Sequence, residues 1–356
     1  MSFPRRESRL VRVGNLAIGG DAPISIQSMC NTDTHDREAT LSQVRSLEKA
    51  GCDIVRLAVP DTEAAKTFSF LKENGVTAPL VADIHFDYRI ALEAVAHGAD
   101  KIRINPGNIG DDERVREVVN ACRAARVPIR IGVNSGSVEK HILSRYGAPT
   151  AEALAESALY HTALLEKYDF YDTVISVKAS SVSEMIAANR MLAERTSYPL
   201  HLGVTEAGGI RMGTVKSAIG IGTLLSEGIG DTIRTSLTAD PVSEVVLAKD
   251  ILSSLGLLAA PMMNVVSCPT CGRTKIDLIA LSEEFERAVD RENLRQKPIT
   301  VALMGCIVNG PGEAKEADIG IAGGDGCAAL FRRGTVVGKL PQDKIVDVLI
   351  EEIKRL

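Results

Sequence analysis

No stretch of this chain approaches the roughly 20 consecutive apolar residues of a membrane span. The opening residues, MSFPRRESRLVRVG, are charged and lack the hydrophobic core of a secretory signal. A cytoplasmic location is therefore expected. In that compartment the 7 cysteines are poor disulfide candidates, and clustered ones read as metal ligands or reactive thiols. No excess of basic charge exists either: 41 Lys and Arg face 46 acids, a formal net charge of −5, which argues against nucleic-acid or membrane partners. Tryptophan is absent, and aromatic residues make up 4% of a chain whose hydrophobic content is 45%. A composition built on Ala, Val, Ile and Gly fits a soluble enzyme of parallel α/β architecture. Low-complexity segments and long linkers are also missing.

What is present is a rhythm. After a short hairpin over 8–20, strand-like runs occur at 24–29, 54–59, 80–84, 101–105, 128–133, 172–178, 200–206 and 231–237. Amphipathic helical segments fall between them, at 37–50, 62–73, 111–125, 150–167, 181–195, 212–226 and 242–255. Eight β-then-α units in about 230 residues predict an α/β fold, a (β/α)8 TIM-type barrel over 1–257. The rival is a doubly wound open sheet, weakened because no Gly-x-Gly-x-x-Gly follows the first strand.

Beyond residue 257 the rhythm breaks. A thiol pair, a helix over 275–293, strands at 300–304, 318–322 and 330–337, and a last helix at 342–356 predict a small α+β domain over 258–356. That domain holds the most distinctive stretch. It opens with Cys268-Pro269-Thr270-Cys271-Gly272-Arg273 and closes with Gly305-Cys306-Ile307-Val308-Asn309-Gly310-Pro311-Gly312-Glu313. A Cys-x-x-Cys turn plus a third thiol in a glycine-rich loop suits a metal site with an open or oxygen-ligated corner. The alternative is a zinc ribbon with Cys327 as the fourth thiol. Cys30, Cys52 and Cys122 lie far apart, and Cys52 reads as filler at a helix-to-strand junction.

The active site of such a barrel lies where its strands end. The interior of a parallel strand should be apolar, yet Arg56, Arg103, Arg130 and Arg234 break that rule in equivalent places, with Lys178 beside them. Few acids accompany them, so they would repel one another unless an anion filled the centre. Guanidinium forks suit phosphate oxygens, and a small polyanion such as a diphosphate is the expected ligand. Asp83 and His85 read as metal ligands, hydroxyl binders or supporting groups. Glu206, at a strand end before Ala207-Gly208-Gly209, is either a proton donor or a salt-bridge partner of one arginine. Asn105 and Asn134, each in a turn, either bind substrate or cap the turn. Ser176 and Ser236 complete the polar rim.

CPTCGR and GCIVNGPGE, together with IQSMCNTDT, VADIHFD, KIRINPGNIG, RIGVNSGS, SVKAS and GVTEAG in that chain order, resemble the motifs of 4-hydroxy-3-methylbut-2-enyl diphosphate synthases, in the bacterial two-domain form. The resemblance runs from about residue 4 to the C-terminus. It implies a [4Fe-4S] cluster held by Cys268, Cys271, Cys306 and the Glu313 carboxylate. The implied reaction is reductive ring opening of 2-C-methyl-D-erythritol 2,4-cyclodiphosphate in isoprenoid precursor biosynthesis. Flavodoxin or ferredoxin would supply the electrons, Glu206 a proton, and the basic rim the diphosphate clamp. Asp83, His85, Asn105, Asn134, Ser176 and Ser236 would orient the substrate. It also implies a head-to-tail homodimer whose active site is completed in trans. A barrel transferase for phosphate or pterin ligands with a zinc-stabilised tail, and a non-catalytic iron-sulfur sensor, are the competing readings. Radical S-adenosylmethionine chemistry is disfavoured, because its Cys-x-x-x-Cys-x-x-Cys triplet is absent.

Overall fold

A computed structural model describes residues 4–307 and 315–356, and the chain divides into two compact units, Met1–Ala259 and Ala260–Leu356. The first begins with an antiparallel hairpin, β1 (Val11–Val13) and β2 (Leu16–Ile18). Eight parallel strands follow: β3 (Ser25–Met29), β4 (Ile54–Ala58), β5 (Leu80–Asp83), β6 (Lys101–Ile104), β7 (Ile129–Asn134), β8 (Thr173–Lys178), β9 (His201–Leu202) and β10 (Thr232–Ile233). Each pairs with its sequence neighbour, β3 pairs with β10, and a bridge between Ile175 and Leu200 joins β8 to β9. This closed order is a TIM-type barrel. A doubly wound sheet would reverse its strand order and stay open.

Helices pack around it because local signals start and stop them. Arg37–Ala50, for example, is opened by Asp36, whose side chain accepts from the Ala39 N–H at 3.0 Å, and is closed by Gly51 at φ 85°. The outward faces of the strands and the inner faces of the helices form one apolar core, with Phe68, Leu71, Ile102 and Leu224 fully buried. The hairpin plugs the N-terminal end of the barrel, where Val13 and Ile18 pack on Ile54 and Val81.

Some boundaries differ from expectation. The runs at 200–206 and 231–237 contribute only two ladder residues each, because their later residues leave the sheet to form the rim; Glu206 turns at φ 52°. The helices Tyr88–Ala96 and Lys140–Tyr146 were not expected. The first is capped by Asp87, within the segment read above only as a motif.

In the second unit β11 (Asn264–Ser267), β12 (Thr300–Met304) and β13 (Ile319–Gly324) run parallel, and β14 (Cys327–Arg332) and β15 (Thr335–Pro341) complete the sheet antiparallel. The run at 330–337 is thus no single strand. It is a hairpin turning at Arg333 and Gly334, both at positive φ, the conformation a two-residue turn requires. Alternation along β12 sorts the two faces. Val301 and Leu303 join the core containing the helices Leu278–Arg291 and Ile345–Arg355, while Ala302 and Met304 pack with Ala322 and Phe331 on the other side.

Candidate active site

Side chains alternate along each strand, so residues two apart face the same way. On β6, β7 and β8 this turns Arg103, Arg130, Ser176 and Lys178 into the barrel. With Arg56, Gly132, Asn134, Thr205, Arg234 and Ser236 they line one cavity at the strand ends. Eight of the eleven expected substrate-binding residues therefore share one site. Gly132 makes room for Arg103: a Cβ there would lie 2.3 Å from Arg103 Nε.

Two buried acids hold three of the five basic groups, Arg56, Arg103 and Arg234. Asp83 accepts from Arg103 Nη1 at 3.1 Å and lies 3.5 Å from Arg56 Nη2 and 3.7 Å from His85 Nε2. Burial alone would raise the Asp83 pKa; Arg56, Arg103, His85 and Arg130 outweigh it and hold the carboxyl well below its usual range. The second acid is Glu244, in the first turn of Pro241–Ser254. Its carboxylate lies 3.5 Å from Arg234 Nε and accepts from Ser28 Oγ at 3.1 Å and the Leu237 N–H at 3.0 Å. Arg56 also donates through Nε to Met29 Sδ at 3.0 Å.

Desolvation dominates at Arg56, Lys178 and Arg130. It lowers the Arg56 pKa to about 10, against the pull of Asp83 and with the push of Arg234 and Arg103. Lys178 falls well below its ordinary value through burial first, then Arg234, Arg56 and Arg130. Arg130 is lowered by burial first, then by Arg56 and Arg103, against the pull of Asp83. An anion at the centre would reverse these penalties.

Three expected residues lie off the cavity lining. Asp83 sits behind the arginines, and His85 projects from the rim with its side chain 56% exposed. Asn105 is buried, and its amide donates to the Ser137 carbonyl at 3.3 Å, pinning the turn after β7. Glu206, the expected proton donor, is exposed next to cavity-lining Thr205 and makes no side-chain hydrogen bond or ion pair among the described residues. The reading of Glu206 as an arginine's structural partner has no support in this arrangement. Glu244 and Met29 were missed. Glu244 looks like any first-turn helix acid in the sequence, and Met29 like core.

In the second unit, two of the thiols follow the ends of neighbouring strands. Ser267 and Leu303 are register partners on β11 and β12; Cys268 directly follows the first strand and Cys306 lies two residues past the second. The Gly305 N–H donates to Cys268 Sγ at 3.3 Å. The CPTCGR turn is held by Thr274, whose hydroxyl accepts from the Cys271 N–H at 3.0 Å, and by the Lys275 N–H on the Gly305 carbonyl at 2.9 Å. Hydrogen bonds from the Arg273 backbone and side chain lower the Cys271 pKa. Glu313 and most of the glycine-rich loop lie outside the described residues. Among the described residues, no three Cys, His, Asp or Glu side chains converge where one ion would sit. A [4Fe-4S] cluster would place each thiolate on a separate iron. The soft donor set, with Cys271 exposed and Cys268 and Cys306 half-buried, and the backbone N–H on sulfur fit such a group.

Two family models match the chain: a GcpE TIM-barrel domain over residues 8–249 and a GcpE protein C-terminal domain over 264–355. The chain belongs to the GcpE family. Among curated relatives, a 4-hydroxy-3-methylbut-2-en-1-yl diphosphate synthase (flavodoxin) of Ruminiclostridium cellulolyticum is 56% identical, covering 99% of this chain and 98% of that protein. The synthases of the same name from Clostridium perfringens and Geobacter sulfurreducens are 55% and 53% identical, covering 99% of this chain and 99% and 98% of theirs. Solved structures resemble the GcpE barrel in fold alone. A type I 3-dehydroquinate dehydratase of Clostridium difficile superposes with TM-score 0.50 at 15% identity, covering 68% of this chain and 98% of that one. A Plasmodium falciparum HPPK-DHPS superposes with TM-score 0.51 at 11% identity, covering 71% and 50%.

Proposed function

We propose that this GcpE protein is a flavodoxin-dependent 4-hydroxy-3-methylbut-2-en-1-yl diphosphate synthase. It would reductively open 2-C-methyl-D-erythritol 2,4-cyclodiphosphate and expel a hydroxyl as water, giving (E)-4-hydroxy-3-methylbut-2-enyl diphosphate. The observation that carries the substrate class is a charge surplus. Among the described residues Arg56, Arg103, Arg130, Lys178 and Arg234 meet only Asp83 and Glu244, which leaves three formal positive charges unmatched there at a buried cavity. A diphosphate offsets that surplus, and guanidinium forks match its oxygens.

In this reading the arginines and Lys178 hold the diphosphate and follow its growing charge as the ring opens. Asn134, Ser176 and Ser236 position it by hydrogen bonds, and Asp83 fixes Arg56 and Arg103 from behind. His85 and Asn105 shape the rim around the carbon skeleton. Glu206, exposed beside Thr205, gives a proton to the departing hydroxyl. Cys268, Cys271, Cys306 and Glu313 would hold a [4Fe-4S] cluster, which supplies one-electron reduction and a labile, oxygen-ligated iron. Flavodoxin is the proposed donor, the cytoplasm the proposed location, and a homodimer with its site completed in trans the proposed assembly.

The test is made on protein purified without oxygen. Iron, sulfide and zinc are assayed per chain, and the paramagnetic resonance spectrum of the reduced sample is recorded before and after adding the cyclodiphosphate. About four irons and four sulfides, with a spectrum altered by substrate, are expected. One tight zinc without sulfide would overturn the reading. For the assembly, mixing a Cys306→Ser chain with a Glu206→Gln chain should restore activity that neither has alone. No recovery would remove the in-trans arrangement.

A further inference from the structure

A second layer of polar side chains lies inside the barrel, between the basic cavity and the floor. On five strands a polar residue stands two positions before one that faces the cavity region: Gln27 before Met29, Lys101 before Arg103, Arg130 before Gly132, His201 before Gly203, and Thr232 before Arg234. Strand periodicity turns each of them inward. The inward direction is fixed independently by Arg56 Nε on Met29 Sδ, by Arg103 against Gly132, and by Lys178 Nζ, which a Cβ on Gly203 would meet at 2.9 Å. The other three strands contribute Ile54, Val81 and Val174 at this level. Below, the hairpin residues Val13 and Ile18 seal the floor.

All five polar residues are at most 1% exposed. Both amide atoms of Gln27, Lys101 Nζ, Arg130 Nε, both ring nitrogens of His201 and Thr232 Oγ1 have no hydrogen-bond partner among the described residues. Buried polar groups are almost always satisfied, so a cluster of orphans on one axis points to a bound water or ion. The charge balance says which kind. The layer carries two basic side chains and no acid, and the acids of the neighbouring cavity are already engaged, Asp83 by Arg103 and Arg56 and Glu244 by Arg234.

We infer that this layer is a binding site for a small inorganic monoanion of the halide class, held by Lys101 Nζ and Arg130 Nε, with Gln27, His201 and Thr232 donating around it. The ion would sit between the apolar floor and the basic cavity above. Burial, with Arg130 and Arg56 nearby, pushes the Lys101 pKa down, and a bound anion would restore its proton. His201 is likewise pushed down, by burial and then by Arg130 and Lys178, leaving a neutral ring with one N–H to donate. Because Arg130 also lines the cavity above, the ion would fix the plane of that guanidinium. The inference does not depend on the proposed reaction.

Crystals of the full-length protein, with its cluster, grown in bromide should show an anomalous peak within hydrogen-bond distance of Lys101 Nζ and Arg130 Nε. In solution, replacing gluconate by chloride at constant ionic strength should raise the unfolding midpoint by roughly 2 °C at ten times the dissociation constant. Lys101→Met should abolish that rise. Thr232→Val, a milder change that keeps the fold if Lys101→Met does not, should weaken chloride binding several-fold. Density at the layer without anomalous signal, or an equal chloride response in the wild type and the variants, would overturn the proposal.

Discussion

One carboxylate ties two arginines of the cavity together: Asp83 Oδ1 accepts from Arg103 Nη1 at 3.1 Å while its Oδ2 lies 3.5 Å from Arg56 Nη2. The pair of contacts is buried, so removing the acid leaves two guanidinium groups uncompensated. Breaking buried ion pairs costs about 3–5 kcal/mol. Asp83→Asn is therefore expected to lose stability of that order in urea unfolding. Added pyrophosphate should restore more stability to Asp83→Asn than it adds to the wild type, since an anion would replace the missing charge. A loss below about 1 kcal/mol, within the range of a surface pair, would mean the arginines do not need Asp83.

The lowered Lys178 pKa makes a claim about pH. Between its folded and unfolded values the unfolded chain binds more protons, so stability rises with pH throughout that window. The window ends near the ordinary lysine value of about 10.4. Asp83, whose pKa is also depressed, has the same sign at the acid end. Its contribution is complete above about 3.9 and fades as pH falls toward the folded value. Ligand-free protein should thus gain stability from neutral pH into the alkaline range. Lys178→Met should flatten that slope, and so should saturating pyrophosphate. A wild-type slope unchanged by either treatment would assign the effect to other groups.

Glu244 supports Arg234 from outside the cavity, and it also accepts from Ser28 Oγ and the Leu237 N–H. Glu244→Gln keeps the shape but removes the charge opposite Arg234. Hydrogen bonds to charged groups contribute about 1.5–3 kcal/mol, and the variant should be destabilised by an amount in that range. Arg234 should also lose its fixed position, raising KM for the cyclodiphosphate more than it lowers kcat. Steady-state kinetics with an artificial reductant would separate the two. An unchanged KM beside a fallen kcat would place Glu244 nearer to the chemistry than its geometry suggests.

The barrel was legible because its strands and helices are local: Arg37–Ala50 carries its cap, its apolar stripe and its C-terminal glycine within 16 residues. The inward arginines were legible for the opposite reason, since each contradicts the apolar rule for a parallel strand. Glu244 was not. Its role depends on a helix from the end of the barrel returning beside β3, a contact across 216 residues that no periodicity encodes. Lys101, His201 and Thr232 were passed over because single polar residues at the start of strands look like ordinary edge positions, and Gln27 because one polar residue in mid-strand is unremarkable. Only closing the barrel shows that they meet. The β14–β15 hairpin escaped because Arg333-Gly334 is a weaker turn signal than Asn-Gly.

Gly132 gives the most direct test of how closely the cavity is built. Its missing side chain is the space that Arg103 occupies, with a Cβ placed 2.3 Å from Nε and 2.9 Å from Nη2. Its backbone is not in the left-handed region, so alanine would meet no conformational strain. The cost falls on Arg103 instead, which is buried and held by Asp83 and the Gly132 carbonyl. Gly132→Ala must therefore push that guanidinium off its partners or shift β7. Overpacking of this kind costs about 1–3 kcal/mol. Affinity for the cyclodiphosphate should fall about tenfold or more, the equivalent of one weakened charge-assisted hydrogen bond. Titration calorimetry on ligand-free protein reads the affinity, and urea unfolding reads the stability. Full affinity in a stable Gly132→Ala protein would show that Arg103 does not reach the ligand, and the clamp would then rest on the remaining four basic groups.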